Sequence, residues 1–222
     1  MKRILPFALI AIVLIAAVAG AFVVMRSRQQ ANNRNDATPD PLGVALGAEP
    51  PHVRGNANAP VTLEEFGDFQ CPTCGTYYNE MKKIEGEYGD RLKVIFRELP
   101  LTMHEHGLMA AQAAEAAGMQ GKFWEMHDKL YENQNTWTTT KDLLPLFVDY
   151  AKQIGLNPDQ FAKDLNGETV AQRIFQDGKR AHTFSFNGTP SFVVNGKAAK
   201  GDQWRPEGVR QMINDALKEA GK

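Results

Sequence analysis

Only two cysteines occur in this 222-residue chain, Cys71 and Cys74, so no wider disulfide framework exists. A structural disulfide stabilises by closing a long loop. One that spans two intervening residues contributes only about 2 kcal/mol on the loop-entropy account. The pair is poor scaffolding and is better explained by chemistry. Excess positive charge is also missing: 25 Lys and Arg face 26 Asp and Glu, for a net charge of −1. Without cations to displace counterions from phosphates, nucleic acid is excluded as a partner. No acidic tail, long single-sign run or internal repeat occurs, which leaves partners to be chosen by shape and chemistry. A zinc site needs four ligands, yet there is no second Cys-x-x-Cys, and the only close histidines, His104 and His106, lie far downstream. Position 75 is Gly75 rather than the histidine that haem attachment requires. No metal and no cofactor is expected, and an inert local disulfide is the remaining alternative to a redox centre.

What is present begins with a different material from the rest. Lys2 and Arg3 precede Ile4 to Met25, a run without a single charge, and Arg26 and Arg28 end it. As a helix, that run spans roughly the ~30 Å hydrocarbon core of a bilayer. A cleaved signal peptide is one reading, with Ala17-Val18-Ala19 before Gly20 as its small-residue site. The apolar run is longer than a signal needs, which favours an uncleaved transmembrane anchor over residues 1–26. Either reading exports the remainder into an oxidising compartment of the bacterial cell envelope, where a thiol pair works as a disulfide donor. Residues 27–54 read as a flexible linker. Polar residues, Pro39, Pro41, Pro50 and Pro51 deny it helical or strand periodicity, with a short ordered stretch near Val53.

From Val61 the pattern becomes globular. Val61 to Phe66 reads as a strand, Gly67 to Gln70 as a turn, and Cys71-Pro72 as a helix start, with Cys71 at the N-cap and Pro72 at the first helical position. Cys74, Tyr77, Met81, Ile84 and Tyr88 form one stripe of that helix. The two cysteines are therefore expected to differ: Cys71 exposed at the helix tip, Cys74 at the head of the buried face. A helix N-terminus favours the thiolate, which is the attacking species. Cys71 is then the nucleophile that forms a mixed disulfide, and Cys74 the thiol that resolves it. Arg91 to Glu98 reads as a second strand and completes a βαβ unit. From about 101 to 182 the signals are nearly all helical, including an Asn157-Pro158 helix start. Pro190 to Val194, an Asn195-Gly196 turn and Lys197 to Gly201 form a hairpin, and a closing helix carries Val209, Met212, Ile213 and Leu217. His104, His106, His127 and His182 read as surface or packing residues, and Phe69, Tyr77, Trp124 and Trp137 as core or groove residues.

This order resembles the DsbA-like branch of the thioredoxin superfamily over about residues 55–220. The matching motifs are Glu65-Phe66 through Phe69-Gln70-Cys71-Pro72-Thr73-Cys74, Gly188-Thr189-Pro190-Ser191-Phe192, and Gln120 to Trp124 followed by Met126-His127-Asp128. The resemblance implies an α/β thioredoxin-like fold with a large helical insertion, and a catalytic domain over 55–222. It implies that Pro190 is cis and faces the dithiol, exposing the Thr189 backbone to an extended substrate segment. Pro190 as an ordinary strand-opening proline is the plainer reading. Glu65 matches an acidic residue beneath the active site that relays a proton as Cys74 attacks, against a plain reading as a solvated glutamate like Glu64. Pro72, Thr73 and Thr189 are the implied substrate contacts.

The expected activity is thiol–disulfide exchange with exported proteins, leading as a dithiol oxidase recycled by a membrane redox partner. An exported reductase or isomerase, or a client-binding module without turnover, are the alternatives. The family's enteric members carry a histidine between the cysteines, and this chain has Pro72 and Thr73 there instead. No dimerisation module precedes the domain, which weighs against an isomerase.

Overall fold

A computed structural model describes residues 45–221 of the chain. The expected anchor or signal segment and the start of the linker lie outside the described residues. Among the described residues, no helix is long and apolar enough to cross a membrane.

Five strands make one sheet in the order β1-β3-β2-β4-β5. They are β1 (His52–Gly55), β2 (Val61–Gly67), β3 (Leu92–Glu98), β4 (Ser191–Val194) and β5 (Lys197–Ala198). β2 and β3 are parallel, with Leu63 opposite Val94 and Glu65 opposite Phe96. β1 joins β3, β4 joins β2 and β5 joins β4 in antiparallel fashion. The crossover between β2 and β3 is α1 (Pro72–Tyr88). The helical insertion comprises α2 (Gly107–Gly118), α3 (Phe123–Glu132), α4 (Gln134–Trp137), α5 (Leu143–Gln153), α6 (Pro158–Leu165) and α7 (Glu168–Thr183). The chain closes with α8 (Pro206–Glu219).

Alternation along β2 decides which side each residue serves. Val61 and Leu63 turn towards α1 and α8, where Tyr77, Ile84, Phe192, Val209 and Ile213 complete one core. Phe66 points the other way and packs with Ala181 of α7 and Val193. A larger core fills the insertion, and both cysteines belong to it, with Phe69, Phe96, Met126 and Trp137. The active-site helix is thus wedged between sheet and insertion.

Several expected elements form for the expected reasons. Asn157 caps α6, its side-chain oxygen accepting from the N–H groups of Asp159 and Gln160 at 3.0 Å. Asn195 and Gly196 both take positive φ, as a type I′ turn requires. The hairpin's second strand is shorter than expected and ends at Ala198.

The linker expectation is corrected at its end: residues 45–54 are part of the folded domain. Arg97 donates to the carbonyls of Leu46 and Ala48, and Asp177 accepts from the Ala48 N–H. His52 to Gly55 then form β1 against β3. The segment has no apolar periodicity of its own. Its backbone is held by buried charges from β3 and α7, which a local pattern does not register.

Candidate active site

The site is built on the turn between β2 and α1. Cys71 takes extended angles (φ −66°, ψ 121°) at the N-cap, and Pro72 opens the helix, where its missing N–H is no loss. The Cys71 N–H donates to the Asp68 carbonyl at 3.0 Å, and the Cys71 carbonyl accepts from Gly75 at 3.1 Å. The Asp68 carboxylate is buried and accepts from the N–H groups of Gln70 and Leu101, both at 2.8 Å. It also pairs with His104 Nδ1 at 2.7 Å. Gln70 accepts from the His106 N–H, and the Gln134 amide donates to the carbonyls of Phe69 (2.6 Å) and Cys71 (2.9 Å). Gly75 lets that amide in: a side chain at 75 would collide with Gln134.

None of Asp68, Gln70 and Gln134 stood out in the sequence as a site residue. Asp68 carried a signal, because aspartate in a turn commonly accepts the N–H two residues on. Gln134 carried none. His104 and His106, read as surface or packing residues, belong to the loop that braces this turn.

The two thiols are free and the cysteines lie 3.6 Å apart. Cys71 differs from expectation in one respect: it is only 6% exposed and Cys74 0%, so the helix tip is nearly covered rather than open. The cover is the loop before β4. The Thr189–Pro190 bond is cis, Pro190 is buried, and the Thr189 carbonyl lies 3.4 Å from Cys71 Sγ. The Thr189 carbonyl, on the N-terminal side of that bond, is thus the part of the loop in contact with Cys71. Pro72 and Thr73 are exposed on the other flank of Cys71.

Electrostatics split the pair. The Cys71 thiol is pulled down to about 5, first by the hydrogen bond from Cys74, then by Thr189 and the backbone N–H groups of Cys74 and Thr73, against burial. Burial pushes the Cys74 thiol well up, and the neighbouring Cys71 adds to it. One thiolate and one thiol share a proton, and the outer sulfur is the ionised one.

Glu65 and Glu64 both depart from the solvated reading. Glu64 faces α7 and is paired with Arg97 (3.1 Å) and Arg180 (2.5 Å). Glu65 faces α1, is 4% exposed, and is raised to about 8, chiefly by burial and secondarily by Glu85, with Arg54 opposing. A carboxyl with that affinity is protonated at neutral pH and able to give the proton up. Tyr131 lies beside it, its hydroxyl buried with no partner among the described residues. His127 packs among Phe69, Phe96, Trp124 and Tyr131 and is held neutral, pushed down to about 4 by burial, in keeping with its reading as a packing residue.

The family profile described as thioredoxin matches residues 48–215. The chain belongs to the thioredoxin family. Among solved structures, this family member is similar to BdbD from Bacillus subtilis in its oxidised form, at 28% identity and a TM-score of 0.65, over 79% of this chain and 98% of that one. A thioredoxin-like oxidoreductase from Silicibacter pomeroyi matches at 28% identity and a TM-score of 0.64, over 76% and 92%. With its insertion and paired thiols, this thioredoxin-family chain has the fold of those two proteins. Among curated proteins, it is 40% identical over 162 residues to the Na(+)/H(+) antiporter NhaA 1 of Salinispora arenicola. That match takes in 72% of this chain but 24% of the relative, so the chain spans about a quarter of the length of such relatives, and the antiporter name describes a much longer protein.

Proposed function

We propose that this protein is a dithiol oxidase that introduces disulfides into exported proteins. The observation that carries the reading is the opposed ionisation of the pair: Cys71 down to about 5, Cys74 well up. A stabilised Cys71 thiolate favours the reduced enzyme, which makes the oxidised enzyme a strong acceptor of electrons. It also makes Cys71 the better-stabilised sulfur when a mixed disulfide breaks.

The reaction runs as two exchanges. A substrate thiolate attacks the Cys71 sulfur of the Cys71–Cys74 disulfide; that bond breaks and Cys74 leaves with its electron pair. Glu65 gives Cys74 a proton, since burial makes a Cys74 thiolate costly. The second substrate thiolate then attacks the substrate sulfur of the mixed disulfide, releasing oxidised substrate and the Cys71 thiolate. Two electrons rest on the enzyme dithiol, and a membrane redox partner removes them. The Thr189 carbonyl beside Cys71, the cis Pro190 and the exposed Pro72 and Thr73 support an extended substrate segment docking across the helix tip by strand-like pairing.

The apolar run from Ile4 to Met25 supports placing the catalytic domain on the extracytoplasmic side of the cell envelope, tethered at the inner membrane. Residues 1–26 act as the tether and those before the folded domain as the spacer.

Cys74→Ser tests the division of labour. Its Cys71 thiolate is expected to attack the disulfide of an oxidised client peptide, expel one client thiolate and accumulate as a stable mixed disulfide, visible by mass spectrometry, while Cys71→Ser forms none. Adducts on Cys74 in place of Cys71 would reverse the assignment.

A further inference from the structure

Glu65 does not end in a sealed core. It lines a small pocket between α1, α3 and the edge formed by β1 and β3, with room for a single water molecule, about 10 Å3. The buried members of the lining are Glu65, Tyr78, Met81, Val94, His127 and Tyr131. Arg54, Lys82 and Glu85 line it too and reach solvent, their side chains 21%, 43% and 24% exposed. Two carboxyls therefore stand on one water-sized space, one inside and one at its rim. Glu85 is the second cause of the raised Glu65 affinity, and Glu85 is itself raised by burial.

The substrate side offers Glu65 no such access. Cys74 has no exposed surface, and the Thr189–Pro190 loop covers Cys71 even without a substrate. A bound client closes that route further at the moment Glu65 has given its proton away. Glu85 lies near the other end of α1, away from the client.

We propose that this pocket is the proton port of the dithiol, with Glu85 as its outer relay. The inference rests on Glu65 being the proton donor to Cys74. Once Glu65 is a carboxylate, a proton passes from Glu85 through a pocket water to Glu65, and Glu85 takes a proton back from solvent. No electrons move in this step. The other groups facing the space set its balance. Arg54 from β1 approaches Glu85 at 3.8 Å and is fixed on Asp128 of α3 at 2.8 Å, over the Trp124 ring. Lys82 from α1 adds a second cation at 4.0 Å from Asp128. His127 is neutral, and Tyr131 offers a hydroxyl on the Cys74 side.

The test is stopped-flow reduction of the oxidised, full-length protein by a dithiol peptide in weak buffer near pH 7.5. Glu85→Gln is expected to slow the reaction about tenfold, less than the 10²–10⁴ typical of the group that transfers the proton directly. Added formate should restore the rate in a concentration-dependent way, and Glu85→Asp should stay near the wild-type rate. Glu65→Gln should be slower still and indifferent to formate. A wild-type rate for Glu85→Gln, or a slow rate that formate does not lift, overturns the port while leaving Glu65 as donor. A wild-type rate for Glu65→Gln overturns the donor reading itself.

Discussion

At the scale of single residues, the site separates two sulfurs that are chemically identical in sequence. Cys71 receives donors: the Cys74 thiol and the first N–H groups of α1. Cys74 is given burial and a neighbouring thiolate. Glu65, the proposed proton donor to Cys74, carries a stability signature. Its folded affinity is raised from 4.5 to about 8, so between those values the folded state holds a proton that the unfolded state has lost. Stability contributed by neutral Glu65 is thus complete below about pH 4.5 and declines as pH rises through 8. Glu65→Gln removes that dependence, and since one unit is worth about 1.4 kcal/mol, the gain over wild type at pH 9 is on the order of a few kcal/mol. Urea denaturation at pH 4.5 and pH 9 checks this. An equal difference at both pH values would mean that Glu65 is not protonated in the native state.

At the scale of elements, the tip of α1 is braced by chain segments far away in sequence. Asp68 binds the loop before α2 through Leu101 and His104, and Gln134 of α4 holds the carbonyls on either side of Gln70. Asp68→Ala leaves two part-buried N–H groups and an imidazole without their acceptor, at about 1 kcal/mol for each, the low end for an orphaned group. The expected loss is about 3 kcal/mol in urea stability, with Asp68→Asn losing less because its side-chain oxygen still accepts. Equal, near-zero losses for both would show that the brace is not formed.

The helix start at Cys71-Pro72, its buried stripe and the hairpin turn at Asn195-Gly196 were legible because each is a local rule: a fixed φ, a period of 3.6, a positive φ. The place of Glu65 beneath α1 was legible through the resemblance, and the alternation of β2 explains why Glu64 is its opposite. Three features were not legible. β1 read only as a short ordered stretch near Val53 and not as a strand paired with β3, Gln134 acts across 63 positions, and Cys71 is covered by the loop at Thr189. Each depends on contacts made only after the chain has folded.

At the scale of the whole molecule, the dithiol sits where sheet and helical insertion meet, and both cysteines count among the insertion's own core residues. The insertion supplies Gln134, Tyr131 and the α3 wall of the pocket, so it does more than enlarge the domain. Its charge balance leaves no large field to steer clients, and recognition falls to the surface around Cys71. The central claim is that this arrangement stabilises the reduced pair and so drives electrons from clients to the enzyme. The most direct measurement is the reduction potential of the Cys71–Cys74 couple, taken by equilibration with glutathione and counted by mass spectrometry. A dithiol oxidase should give a value nearer to about −120 mV, typical of a strong oxidant, than to about −270 mV, typical of thioredoxin. A value at or below the thioredoxin figure would contradict it and make the protein a reductase.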